Sequence, residues 1–109
     1  SWMTMDNLSI ELQEFLIRLG KDEKAIGDRL AGYMRELINM LYSSDARIIE
    51  EYYGLFGNEP HTIEQLASRY NASPEALKKG IEACLRKIAI SPEWQQIRPL
   101  TKLRAIKLK

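Results

Sequence analysis

The chain has 109 residues, 45% of them apolar, enough for one small hydrophobic core and too few for two independent ones. Sixteen Lys and Arg against fifteen Asp and Glu leave a net charge of +1, which by itself selects neither a polyanion nor an acidic partner. One cysteine, Cys84, excludes an internal disulfide and points to a reducing, cytoplasmic setting, and no apolar run approaches the roughly 18 residues of a spanning helix, so no membrane partner is expected.

Leu8, Leu12, Phe15, Leu16 and Leu19 recur at helical spacing, which predicts a first amphipathic helix stopping near Gly20. A longer stripe of Ile26, Leu30, Met34, Leu37, Ile38 and Leu41 predicts one continuous second helix from about Glu23 to Tyr42, with Gly27 and Gly32 tolerated inside it. Two such helices in succession read as an antiparallel pair. Ser43-Ser44-Asp45 then offers N-cap oxygens and a first-turn acid for a third helix to about Tyr53, with Ile48 and Ile49 inward and Gly54 as its stop.

The stretch LFGNEPH reads as a loop. Thr62 and Gln65 have capping-box spacing for a fourth helix, whose inward residues are Ile63, Leu66, Ala67 and Tyr70. Asn71-Ala72-Ser73 forms a three-residue turn. Ser73 as N-cap and Pro74 at the first helical position start a fifth helix with a buried stripe of Leu77, Ile81, Cys84, Leu85 and Ile88. Ser91-Pro92-Glu93 repeats the start signal for a short sixth helix carrying Trp94 and Ile97, limited by Pro99, and LTKLRAIKLK follows as a basic tail.

No alternating strand pattern or internal repeat appears, so the fold class is all-α, a small helical bundle. The expected division is an N-terminal helical pair over 1–43 that serves docking or self-association, a helix-turn-helix unit over 44–98 and a basic tail over 99–109. Charge follows a similar division. Residues 1–75 hold thirteen acids and seven bases, a balance of −6, whereas residues 76–109 hold two acids and nine bases, a balance of +7. Such polarity hints at a basic region that meets a polyanion.

Two helices joined by a three-residue turn, with small Ala67 where the second must pack close, have the spacing of a DNA-reading helix-turn-helix. With YYGLFGNEP upstream and CLRKI downstream, the stretch from about Ser44 to Ile88 resembles region four of bacterial primary-type sigma factors. That resemblance implies binding to an upstream promoter element in the major groove and docking on RNA polymerase. It places Thr62 and Glu64 near the DNA backbone and Glu75, Lys78 and Lys79 toward the groove, where Glu75 would accept from a cytosine amino group. The chain departs from the family at Pro74 and Ala76, where arginines are typical, and at Ser44 and Tyr52, where further basic residues would touch phosphate. Lys78 stands for a usual arginine and Lys79 for a glutamine, and Gly80 falls where an apolar residue normally enters the seam between the two helices.

The expected DNA-contacting set is Thr62, Ser73, Glu75, Lys78, Lys79, Arg86, Lys87, Lys102 and Arg104, the last two from a run of five cations between Arg98 and Lys109 that contains no acid. The chain is expected to be too short for a complete sigma factor. The departures keep a second reading open, a protein-interaction module that docks on RNA polymerase or a regulator without sequence-specific DNA binding. A homodimer through the N-terminal helices would set two recognition helices about one DNA turn apart. His61 lacks partners at ligand spacing and reads as a loop residue, Cys84 reads as core, and Glu50-Glu51 reads as a solvated face. No phosphate loop, metal cluster or nucleophile and base pair can be assembled, so neither catalysis nor a cofactor is expected.

Overall fold

The computed structural model describes residues 5–107, with side chains as far as Lys102. Its apolar stripes become seven helices, with no strand among the described residues: α1 (Asn7–Lys21), α2 (Glu23–Ile26), α3 (Asp28–Ile38), α4 (Ser43–Tyr53), α5 (Ile63–Arg69), α6 (Pro74–Ala89) and α7 (Pro92–Lys107). Asp6 caps α1 by accepting the Ser9 N–H at 2.8 Å, which satisfies one of the first turn's orphan amides. Leu12, Phe15, Leu16 and Leu19 are buried, as their spacing predicts. The helix runs past Gly20, so this glycine does not serve as a stop. It provides room: a Cβ there would stand 2.1 Å from the Tyr53 carbonyl oxygen, where the backbones of α1 and α4 meet.

The single helix expected from Glu23 to Tyr42 is two helices. Asp22 caps α2 by accepting the Ala25 N–H at 3.1 Å. Gly27 then adopts φ 100° and ψ 147°, a region that side chains oppose, and the chain changes direction before α3. Gly32, by contrast, stays within α3. That helix stops at Ile38, and Leu41 is buried in the connection that follows.

Gly54 ends α4 in the left-handed region at φ 67°, with Pro60 packed so close that a side chain would collide with its ring. Thr62 and Gln65 form the full capping box of α5: the Thr62 hydroxyl accepts the Gln65 N–H at 3.1 Å and the Gln65 side chain accepts the Thr62 N–H at 3.0 Å. Glu51, read from sequence as solvated, instead ties α4 to the α5 end. Its carboxylate accepts from the Tyr70 hydroxyl at 2.8 Å and from Arg69 at 3.1 Å, and its backbone carbonyl accepts the His61 N–H at 2.9 Å. Asn71 turns the chain at φ 55°, the Ala72 N–H reaches the Ala67 carbonyl at 2.9 Å, and the Ser73 hydroxyl accepts the Ala76 N–H at 3.1 Å to start α6.

Pro99 does not end the last helix. A proline in a helix interior removes one hydrogen bond and crowds the preceding turn, so something must hold the helix on both sides of it. Here Trp94 is fully buried, its ring 5.7 Å from that of Phe15, and Thr101 is buried beyond the proline. Between them Arg98 donates twice to Glu11, at 2.8 and 3.1 Å. Residues 99–107, expected to be a tail, therefore continue α7, while residues 108 and 109 lie outside the described residues. One apolar cluster runs from Leu12 to Trp94 and draws on all seven helices. No helix among the described residues is long and apolar enough to cross a membrane.

Candidate nucleic-acid interface

Leu77, Ile81, Leu85, Ile88 and Ala89 turn one side of α6 into the core. At 3.6 residues per turn the opposite side carries Glu75, Ala76, Lys79, Ala83, Arg86 and Lys87, and all six are exposed. Helices α1, α4, α5 and α7 pack against other parts of α6, and the strip residues stay exposed. Between its cations the strip is low, because Ala76 and Ala83 carry only methyl groups.

At the start of α6, three of the expected site residues converge. Thr62, Glu75 and Lys78 line a cleft of about 550 Å³ together with Tyr52, Ile63, Glu64 and Pro74. It holds two carboxylates and one ammonium group, a mixed lining that does not concentrate positive charge. The hydroxyls of Thr62 and Ser73 are engaged as helix caps, so both residues set the direction of their helices.

The cations farther along are engaged by the chain itself. Arg86 pairs with Asp6, although 65% of its side-chain surface remains exposed. Lys87 sets its Nζ 5.5 Å from the centre of the Tyr42 ring, a cation–π contact. The Lys102 Nζ lies 3.9 Å from a Glu11 oxygen that Arg98 also holds. Lys79 sits on the strip between Glu75 and Ala83. Arg104 belongs to α7, and its side chain lies outside the described residues. The Ser9 backbone N–H, helped by Arg86, holds the Asp6 carboxyl below its ordinary range, and the Arg98 hydrogen bonds do the same for Glu11. Both acids are therefore charged at neutral pH.

Asp6, Glu11 and Tyr42 escaped the sequence reading. Asp6 stands 80 residues from Arg86 and Glu11 stands 87 from Arg98, so no local spacing rule connects them. At Gly80 a Cβ would meet no atom within 4 Å. A groove of about 350 Å³ lies between α4 and α6, lined by Ile48, Tyr70, Ala72, Ala76, Gly80 and Cys84 among others. Cys84 is half-buried, and desolvation, with Asp45 nearby, pushes its thiol up to about 11, which leaves little nucleophilic thiolate. The His61 Nδ1 lies 3.2 Å from the Glu51 carbonyl oxygen. Among the described residues no group of three or more His, Cys, Asp or Glu is placed to hold a metal ion. The chain matches no family model, no curated protein and no solved structure.

Proposed function

We propose that this chain is a small transcription-related DNA-binding module that works as region four of a primary sigma factor does, with α5 against the DNA backbone and the outer strip of α6 in a groove. The observation that carries this reading is the strip itself: Lys79, Arg86 and Lys87 are exposed along one side of α6, with small Ala83 between Lys79 and Arg86. Lysine and arginine so placed neutralise phosphates and release counterions, which supplies affinity without sequence preference. Glu75, exposed in the first turn, is the acceptor available for a cytosine amino group. The typical arginines beside it are replaced by Pro74 and Ala76, so sequence discrimination is modest.

Three phosphate contacts give a salt dependence of about −2.7 in log K against log salt, at roughly 0.9 per contact. Fluorescence anisotropy of a labelled duplex across about 50 to 200 mM salt reads that slope. A variant with Lys79, Arg86 and Lys87 all changed to alanine should lose most of it. No binding by the parent at the lowest salt, or a variant that behaves as the parent does, overturns the reading.

A second reading is favoured by the engagement of Arg86, Lys87 and Lys102 within the chain and by apolar side chains near that end of α6. Tyr42 is 76% exposed, Met40 60% and Ile90 58%. Exposed apolar groups of this size fit a protein partner better than they fit phosphate. On this reading the module docks on RNA polymerase or a regulator. Nuclease-resistant recovery of polymerase from a bacterial lysate supports it, and recovery abolished by nuclease rejects it.

A further inference from the structure

The ion pairs that join the two ends of the chain follow one pattern. In each, a carboxylate of the α1 region meets a cation of α6 or α7: Asp6 meets Arg86, and Glu11 meets both Arg98 and Lys102. Asp6 has a double role, since one of its oxygens caps α1 through the Ser9 N–H while the other faces Arg86. We propose that α1 is a built-in competitor for polyanion: Asp6 and Glu11 occupy cations that would otherwise be offered to phosphate, and so keep the module's affinity low and adjustable.

This inference rests on the reading that the outer strip of α6 meets DNA. The geometry suits competition rather than burial, because Arg86 and Lys102 remain 65% and 62% exposed. A phosphate can therefore reach the guanidinium of Arg86 while Asp6 is still beside it. Its gain is then reduced both by the pairing already made and by repulsion from the carboxylate. Carboxylates set beside phosphate-binding cations lower affinity most at low salt, where screening is weakest. Any change that removed the charge of Asp6 or drew the start of α1 from α6 would raise affinity without adding a contact.

Asp6→Asn tests this without loss of the cap, since asparagine is as good an N-cap as aspartate. Glu14→Gln is the control, because Glu14 is exposed on α1 and the substitution changes the net charge equally. The probe is a labelled DNA duplex of random sequence, titrated from about 50 to 200 mM salt, with helical content checked by circular dichroism. Asp6→Asn should tighten binding several-fold at the lowest salt and steepen the salt slope by up to about 0.9, the value of one phosphate contact. The double variant with Glu11→Gln should tighten it further, and Glu14→Gln should change it less than twofold. If Arg86→Ala weakens binding but Asp6→Asn matches Glu14→Gln, the competitor role is overturned while the DNA reading stands. If neither the parent nor any variant binds duplex, both fall.

Discussion

Gly20 and Gly80 both lie within helices, yet alanine should act on them in opposite directions. In a helix interior the change from glycine to alanine is favourable by about 1 kcal/mol, because less backbone freedom is lost on folding. At Gly80 nothing within 4 Å opposes the new methyl group, so Gly80→Ala should stabilise by close to that amount, roughly 4 to 8 °C in Tm for a domain of about this size. At Gly20 the new Cβ would sit 2.1 Å from the Tyr53 carbonyl oxygen, whereas ordinary contact begins at 3.4 Å. Both sides of that contact are backbone, so α1 and α4 must separate by about 1 Å, and overpacking of this kind costs about 1 to 3 kcal/mol or more. Separation also strains the hydrogen bond that the Tyr53 hydroxyl donates to Gln13 across the same seam at 2.7 Å, worth about 1 kcal/mol net. After the helical gain is subtracted, Gly20→Ala should destabilise by about 2 kcal/mol. Urea denaturation followed by circular dichroism measures both. A Gly20→Ala protein as stable as the parent would refute the close approach of the two backbones.

Cys84 should react slowly with alkylating reagents at neutral pH, since desolvation keeps the half-buried thiol protonated. Labelling followed by mass spectrometry should accelerate strongly in urea, and equal rates in folded and unfolded protein would contradict its place in the α4–α6 groove. Glu11→Gln should lower stability at neutral pH by an amount that fades in acid. The carboxyl of Glu11 is depressed in the folded state, so its contribution is present above the ordinary value of 4.5 and is lost as pH falls below it. Denaturation of parent and variant at about pH 7 and about pH 3 should show the gap closing, and a constant gap would assign the effect to packing instead.

Much of this fold is legible in local spacing. Thr62 with Gln65, Ser73 with Pro74, and Gly54 each satisfy or terminate a helix end through atoms a few residues away, so their roles follow from sequence. Gly27 and Gly32 show where that ends. They are the same residue in the same apolar pattern, and which one breaks the helix depends on how Ile26 and Leu30 reach a common core. Pro99 was expected to limit its helix, because the anchors that carry α7 past it lie partly on α1, at Phe15 and Glu11. For the candidate interface, periodicity alone identifies the exposed strip of α6. Periodicity cannot say whether Arg86 or Lys102 is already engaged, since their partners come from the far end of the chain.

Trp94, seated against Phe15, also sets the order in which this molecule can be completed. Helix α1 cannot cover its aromatic side until α7 arrives, so without α7 that ring is left wet and Glu11 lacks its clamp. Helices α1 and α7 are thus stitched into one cooperative unit.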